Sequence, residues 1–188
     1  MNKSRALSSE RLKIITLIKQ DALRVEALEC VYKLNLPECY LAAGFVRNMV
    51  WDHLHQKTTS SPLNDMDVIY FDFNESDDEA YLKYEAQLRI KIPDVNWQVR
   101  NQAKMHSRNG DKPYKSTIDA MSFWPEKETA VAICKTINNS YECISAFGFE
   151  SLFAQQVTHN PKRDLAVFEH RVKSKEWLLC WPMLSVSS

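Results

Sequence analysis

The sequence predicts an α/β fold, in the broad sense that includes α+β arrangements, with a mixed β-sheet flanked by helices at the N- and C-terminal ends. Short apolar stretches of strand length alternate with amphipathic stretches whose apolar residues recur about every 3.6 residues. In addition, two alternating segments meet at Asn138-Asn139-Ser140, which predicts an antiparallel hairpin within the sheet.

The composition limits the class of protein. The chain has 188 residues, 45% of them hydrophobic, which fits one packed domain over residues 1–188. Its 24 basic and 24 acidic residues balance, so phosphate binding must come from a local arrangement. The five cysteines include no C-x-x-C pair, which argues against a disulfide framework or a zinc ribbon. Since no stretch has the length of a membrane span or a signal peptide, we expect a cytoplasmic protein without a membrane partner.

The first half of the chain predicts helices before and after a strand. Helical spacing of apolar residues over 8–34, behind a cap at Ser8-Ser9-Glu10, indicates one long helix or two short ones, within an N-terminal helical region of about 9–35. The apolar stretch 40–43 runs directly into Gly44, as expected of a buried strand that enters a turn. Three elements follow in order: a helix over 46–54, a mobile polar loop over 58–64 and a strand over 66–71.

The second half predicts the remainder of a core that spans about 39–147, followed by C-terminal helices over about 149–180. The predicted elements are an acidic helix over 75–88, a strand over 97–101, a loop with Asn109-Gly110-Asp111 at its tip, the hairpin 129–137 and 141–145, and helices over 149–157 and 161–179.

Two aspartates at the start of the strand over 66–71 are the first candidate site. Side chains at i and i+2 of a strand point to the same face, so Asp65 and Asp67 would project together. Paired carboxylates of this kind suit a divalent cation such as Mg²⁺. The alternative is that both lie in a solvated loop before the strand.

Gly44 and Arg47 are the second candidate. A strand, a glycine and then a helix that carries an arginine in its first turn can bind phosphate, because the glycine lets the oxygens approach unpaired backbone N–H groups. The arginine can add bidentate hydrogen bonds. The alternative is an ordinary tight turn with a surface cation.

The order of these motifs resembles the catalytic core of the DNA polymerase β-like nucleotidyltransferase superfamily. It is most similar to the head domain of tRNA CCA-adding enzymes and to a small family of bacterial nucleotidyltransferase-like proteins, over roughly residues 20–180. The residues that carry the resemblance are Tyr40-Leu41-Ala42-Ala43-Gly44-Phe45-Val46-Arg47-Asn48, Asn64-Asp65-Met66-Asp67-Val68, Trp51-Asp52-His53-Leu54, Trp97-Gln98-Val99-Arg100-Asn101-Gln102 and Phe147-Gly148.

The resemblance implies transfer of a nucleoside monophosphate from a nucleoside triphosphate to a hydroxyl acceptor that the sequence does not identify. Asp65 and Asp67 would be catalytic and hold Mg²⁺ or Mn²⁺. A tRNA acceptor is not expected, because the chain ends soon after the core. The residues implied in nucleotide or phosphate binding are Gly44, Phe45, Arg47, Asn48, Arg100 and Lys104.

The sequence departs from the superfamily pattern at three positions. Ala43 replaces the first glycine of a pair and Asn48 replaces an aspartate. Gln98 occupies the position where many members place a third carboxylate, for which Asp72 or Asp94 would have to substitute. Gln98, Ala43 and the neutral overall charge favour an alternative function, a non-catalytic nucleotide-binding or interaction module that retains the fold, whereas the intact D-x-D argues against it. A weaker third hypothesis assigns D-x-D to a sugar-nucleotide glycosyltransferase.

The stretch from Gln98 to Lys115 holds five basic residues and one acid, Asp111. This is the only strongly cationic segment. It would line a nucleotide or acceptor groove, or it would be a solvated charged loop. Most of the tryptophans are expected in the core or as surface anchors, and Trp97 is the one closest to the proposed site.

Overall fold

The computed structural model describes residues 3–63 and 65–188, with side chains from residue 9 onward. Asn64 of the predicted loop and of the D-x-D motif therefore lies outside the described residues, as does the side chain of Ser8 in the predicted cap. The α/β prediction is confirmed, because a mixed five-stranded sheet is covered by helices.

The strands of the main sheet are β1 (Tyr40–Ala42), β2 (Asp65–Tyr70), β3 (Asn96–Asn101), β4 (Val131–Lys135) and β5 (Tyr141–Ser145). Their order is β3-β2-β1-β4-β5, in which only the β2–β3 pair is parallel. The predicted hairpin is confirmed as β4 and β5. Two further strands, β6 (Gln156–Thr158) and β7 (Ser185–Ser187), pair with each other in parallel.

The α-helices of the described chain are α1 (Lys3–Lys19), α2 (Ala22–Tyr32), α3 (Gly44–Leu54), α4 (Ala80–Lys91), α5 (Gln102–Asn109), α6 (Thr117–Met121), α7 (Glu150–Phe153), α8 (Leu165–Ser174) and α9 (Trp177–Cys180). A short 3-10 helix covers Lys127–Thr129. Within this part of the chain, none of the helices combines the length and the apolar character that a membrane crossing requires.

The two faces of the sheet have different environments. Met66, Val68 and Tyr70 of β2 are fully buried in the main hydrophobic core, against helices that include α1, α2 and α3. Residues of the opposite parity point to the other face, where Ala42 and Ile69 belong to a smaller buried cluster. Because side chains alternate along β2, Asp65 and Asp67 lie on this second face.

The N-terminal helical region consists of two helices, and the first of them begins earlier than predicted. The first begins at Lys3, so the predicted cap at Ser8-Ser9-Glu10 is wrong and these residues lie within α1. The first helix ends at Lys19. The carboxylate of Asp21 then accepts a hydrogen bond from the backbone N–H of Arg24 at 3.0 Å and caps α2.

The predicted helix over 75–88 begins five residues later. Asp72 accepts the backbone N–H of Asn74 and Asp77 accepts that of Glu79, both at 2.9 Å. These local bonds stabilise turns in competition with a helix. The helix α4 therefore starts at Ala80.

The predicted loop after β3 is a helix. Asn101 caps α5 by accepting the backbone N–H of Ala103, and Gly110 ends the helix with φ of 71°. The prediction of a loop with Asn109-Gly110-Asp111 at its tip is therefore wrong, because Gly110 caps the C-terminus of this helix.

The C-terminal region is less helical than predicted. Only 150–153 is helical in the first predicted segment, after which Gln155 has a φ of 57° and the chain enters β6. The second predicted helix breaks at Glu176, where φ is 51°. The strand β7, which pairs with β6, lies beyond the predicted end of the C-terminal helices. A pairing between strands so distant in sequence leaves no local signal.

Ala43 adopts a backbone conformation that L-residues rarely occupy, with φ of 53° and ψ of −119°. We expect Ala43→Gly to raise the free energy of unfolding by about 1 kcal/mol, because relief of this strain exceeds the entropic cost of glycine. Urea denaturation checks it, with Ala42→Gly in β1 as the matched control that should lose stability. A loss of stability in Ala43→Gly would contradict the strain.

Candidate active site

A cleft of about 760 Å³ opens on the second face of the sheet. Its walls are formed by the β1–α3 turn, by the loop 57–63 at its rim (the rim loop), by the exposed face of β2 and β3, and by residues 171–181 (the C-terminal segment). The residues that line it include Ala43, Gly44, Arg47, Asn48, Lys57, Ser61, Asp65, Asp67, Gln98, Arg100, Trp124, Arg171, Lys175, Trp177 and Trp181.

Asp65 and Asp67 both lie in β2 and both line the cleft, so the loop alternative for this pair is wrong. Asp65 is exposed at the strand start and accepts a hydrogen bond from Nδ2 of Asn96 at 2.5 Å. Burial, together with the adjacent charge of Asp65, raises the pKa of Asp67 above its usual value, and nearby Arg47 opposes this effect. A carboxylate under such repulsion gains from a bound cation.

The chemistry of the two carboxylates fits Mg²⁺ or Mn²⁺ that arrives with a phosphate ligand. Among the residues that the structure describes, no cluster of three or more His, Cys, Asp or Glu side chains could form a metal site by itself. Mg²⁺ is commonly held by one or two carboxylates together with substrate phosphates and water. Asp65 and Asp67 are the residues that would hold it.

The N-terminus of α3 opens into the same cleft. It has no side-chain cap, and the first N–H groups of a helix lack partners within the helix. Gly44 does not have a positive φ, so the turn itself does not demand glycine there. A Cβ on Gly44 would lie 3.5 Å from Nδ2 of Asn48 and 3.7 Å from Nη2 of Arg47. The missing side chain therefore leaves space beside these two polar groups.

Arg47 is a buried cation, so the surface-cation alternative is wrong. Its side chain donates to Oδ1 of Asn48 at 3.2 and 2.9 Å, and its Cζ lies 5.1 Å from the ring centroid of Trp51 and 4.6 Å from that of Trp177. Across residues 9–63 and 65–188, no carboxylate forms an ion pair with it. Burial lowers its pKa to about 10, so the guanidinium remains charged at neutral pH and is poorly compensated.

Gln98 lies directly beside Asp67, because the parallel register of β2 and β3 pairs these residues. Its Oε1 accepts a hydrogen bond from Arg100 at 2.5 Å, and Arg100 in turn forms an ion pair with Glu85 at 2.7 Å. The position beside the aspartates therefore carries an amide within an existing hydrogen-bond network. Neither Asp72 nor Asp94 lines the cleft.

Two of the predicted binding residues do not reach the cleft with their side chains. Phe45 is fully buried in the main core. Lys104 lies on α5 and forms ion pairs with Asp78 at 2.8 Å and Glu75 at 3.8 Å. Of the five basic residues in the cationic segment, Arg100 lines the cleft.

The C-terminal segment supplies cleft residues that the sequence analysis missed. Arg171 of α8 bonds Glu126, which is fully buried, at 2.5 and 3.3 Å. Lys175 follows at the end of α8, and Trp177 packs against Arg47. Helical spacing predicted a helix here without indicating which other part of the chain it contacts.

The rim loop is fixed by Asp52, which is 7% exposed. Its carboxylate accepts hydrogen bonds from the backbone N–H of Ser61 at 2.7 Å, from Oγ of Ser61 at 2.6 Å and from Nε1 of Trp181 at 2.8 Å. Lys57 adds an ion pair at 3.4 Å. One buried carboxylate thus joins α3, the rim loop and the C-terminal segment, and the predicted mobility of this loop is restrained at Ser61.

We expect Asp52→Ala to lower the free energy of unfolding by about 3 kcal/mol, because it leaves the buried indole N–H of Trp181 and the rim loop without an acceptor. Urea denaturation measures this loss. The control is Asp94→Ala, at an exposed position, which should change stability by less than about 0.5 kcal/mol. Equal effects of the two variants would contradict the structural role of Asp52.

Comparison with known proteins agrees with this geometry. A family model described as "Nucleotidyltransferase" matches residues 29–186. A solved structure described as a CCA-adding enzyme head domain is 30% identical, with a TM-score of 0.82, over 94% of this chain and 95% of that one. The comparison with curated proteins gave no match.

More distant structures share the fold alone. A CCA-adding enzyme in complex with CTP has a TM-score of 0.59 at 10% identity, and the alignment covers 92% of this chain but 43% of that chain. A tRNA-processing enzyme has a TM-score of 0.51 at 14% identity, with 86% and 43% covered. This chain thus spans less than half the length of these two enzymes. The extent of the family match and the similarity to the head domain show that the chain belongs to a nucleotidyltransferase family, as its motifs indicated.

Proposed function

We propose that the protein transfers a nucleoside monophosphate from a nucleoside triphosphate to a hydroxyl acceptor, with Mg²⁺ or Mn²⁺ held by Asp65 and Asp67. The observation that carries this proposal is a single cleft in which the uncapped N-terminus of α3 and the buried Arg47 lie with two adjacent carboxylates. A phosphate ligand would provide the anion for the helix N-terminus and for Arg47, and the metal bound to that phosphate would provide the cation for the two carboxylates.

The positive groups of the cleft would bind and orient the triphosphate. Phosphate oxygens would accept hydrogen bonds from the N–H groups at Gly44, where the absence of a Cβ permits approach. Arg47 would exchange part of its contact with Asn48 for phosphate oxygens, while Trp51 and Trp177 hold the guanidinium plane. This arrangement would fix the α-phosphorus with respect to an incoming hydroxyl.

The metal, when bound, would neutralise charge on the phosphates as pyrophosphate leaves. Asp65 and Asp67 would hold it, and Asn96 would orient the first of these carboxylates through its hydrogen bond. Gln98, as an amide, is a poor acceptor for the proton of the attacking hydroxyl. We therefore assign no general base to this position.

The proposal is supported by the family and by the related CCA-adding enzyme described in complex with CTP. It leaves the acceptor unassigned. Of the structures that share the fold, one is described as a CCA-adding enzyme head domain and another as a CCA-adding enzyme, so tRNA belongs among the acceptors to be tested despite the expectation from the sequence.

Calorimetric titration of the protein with each of the four ribonucleoside triphosphates, with and without Mg²⁺ or Mn²⁺, tests the binding step. We expect at least one triphosphate to bind in a metal-dependent manner. Transfer is then tested by measuring pyrophosphate release from the triphosphate in the presence of candidate acceptors, namely tRNA, small hydroxyl compounds and the protein itself. If a triphosphate binds without transfer to any acceptor, the non-catalytic module becomes the better account, and if none binds, the proposal fails.

A further inference from the structure

The cations that line the cleft differ in whether they already have an acidic partner. Lys57 is paired with Asp52, Arg100 with Glu85, and Arg171 with Glu126. Arg47 and Lys175 also line the cleft, and neither has an ion pair with any residue whose side chain the structure describes. These two cations therefore have the capacity to bind an anion from outside.

Lys175 is held at the cleft by contacts on both sides of it in sequence. Arg171, one helical turn earlier on the same face of α8, is anchored to the buried carboxylate of Glu126, which also accepts the hydroxyl of Thr129 at 3.0 Å. Trp177, two residues later, packs on Arg47. The backbone between them adopts a left-handed conformation at Glu176, with φ of 51° and ψ of 29°. Such strained residues cluster at functional sites.

The position of Lys175 relative to the aspartates indicates which anion it meets. Its charge acts on Asp67 together with those of Arg47 and Arg100. Lys175 lines the same cleft as the two carboxylates and the N-terminus of α3, so a triphosphate bound there would lie within reach of its charge. A nucleoside triphosphate carries most of its charge on the β- and γ-phosphates, and a lysine suits these as a mobile point charge.

We propose that Lys175 binds the β,γ-pyrophosphate portion of the nucleoside triphosphate, and so forms a subsite contributed by the C-terminal segment. This inference rests on the proposed function of the same cleft. The subsite completes the triphosphate site with a residue distant in sequence from the glycine and D-x-D motifs. Its ligand class is pyrophosphate, free or as part of a nucleotide.

An alternative role for Lys175 is local, because a cation at the C-terminal end of a helix stabilises that helix through its dipole. Lys173 lies in the last turn of α8, two residues before Lys175, is also exposed and does not line the cleft. Lys173→Gln is therefore a matched control for charge and helix position.

The test is calorimetric titration of the wild type, Lys175→Gln and Lys173→Gln with a triphosphate, its monophosphate and inorganic pyrophosphate, all with Mg²⁺. We expect Lys175→Gln to weaken binding of the triphosphate and of pyrophosphate about tenfold and to leave the monophosphate unchanged. Lys173→Gln should bind all three ligands as the wild type does. Lys175→Arg should recover most of the lost affinity.

Three results separate failure of this inference from failure of the proposed function. Triphosphate binding that is equal in the wild type and Lys175→Gln overturns the subsite and leaves the proposed function intact. An equal loss for the monophosphate and the triphosphate also overturns it, since the contact would then lie elsewhere on the nucleotide. A wild type that binds no triphosphate overturns both. Thermal denaturation should show similar small changes for both glutamine variants, because they share the helix-end position.

Discussion

Asp67→Asn is expected to abolish metal-dependent binding of nucleoside triphosphates while the fold remains intact. The variant removes a proposed metal ligand at almost constant volume. Loss of a second-shell partner of a metal ligand commonly costs about 10- to 100-fold in affinity, so loss of the ligand should exceed that range. Calorimetric titration with Mg²⁺ and the best-binding triphosphate measures the loss.

The same variant should not lower stability. The pKa of Asp67 is raised in the folded state, so the folded protein binds its proton more tightly than the unfolded chain does, and ionisation at neutral pH destabilises the fold. A neutral amide removes that cost. We therefore expect an unchanged or higher free energy of unfolding in urea at pH 7. Asp94→Asn, at an exposed position outside the cleft, should retain binding, and unchanged binding in Asp67→Asn would remove Asp67 from the site.

Arg47→Met is expected to have opposite effects on binding and on stability. Methionine keeps the apolar contacts with Trp51 and Trp177 but removes the charge and all phosphate hydrogen bonds. Each hydrogen bond to a charged group contributes about 1.5–3 kcal/mol, so loss of the bidentate contact should weaken triphosphate binding by about 100-fold or more.

In the free protein, the guanidinium of Arg47 is desolvated without an acidic partner. Replacement of such a charge by an apolar residue of similar size is often neutral or stabilising. We expect Arg47→Met to unfold in urea with a free energy at least equal to that of the wild type. The control is Arg24→Met. Arg24 is also buried, yet it bonds the backbone oxygen of Phe45 at 2.9 Å and the carboxylate of Asp21, so its loss should cost about 2 kcal/mol or more. A large loss of stability in Arg47→Met would assign Arg47 a structural role.

The features that the sequence predicted well depend on short spacings. The two-residue period of a strand was sufficient to place Asp65 and Asp67 on one face. Gly44 at the end of an apolar stretch correctly located the strand-to-helix junction at the cleft. These signals are local, because they depend on residues that are adjacent or separated by one position.

Other features of the site depend on tertiary contacts. The burial of Arg47 results from its packing with Trp177, and no pattern around either residue indicates the other. Lys104 was assigned to the site because the segment after β3 was treated as a loop. The helix that forms there directs Lys104 to Asp78 instead. The sequence shows that Ala43 replaces the first glycine of a pair, but only the structure shows that this alanine holds a strained conformation.

The central claim is that nucleotide and metal bind together between the N-terminus of α3 and the start of β2. Paramagnetic broadening of backbone amide signals by Mn²⁺, measured with and without the best-binding triphosphate, tests it most directly. We predict that broadening in the presence of the nucleotide is strongest at Gly44 and Asp67 and absent at Asn139 in the β4–β5 turn. Broadening centred away from Gly44 and Asp67, or independent of the nucleotide, would contradict the claim.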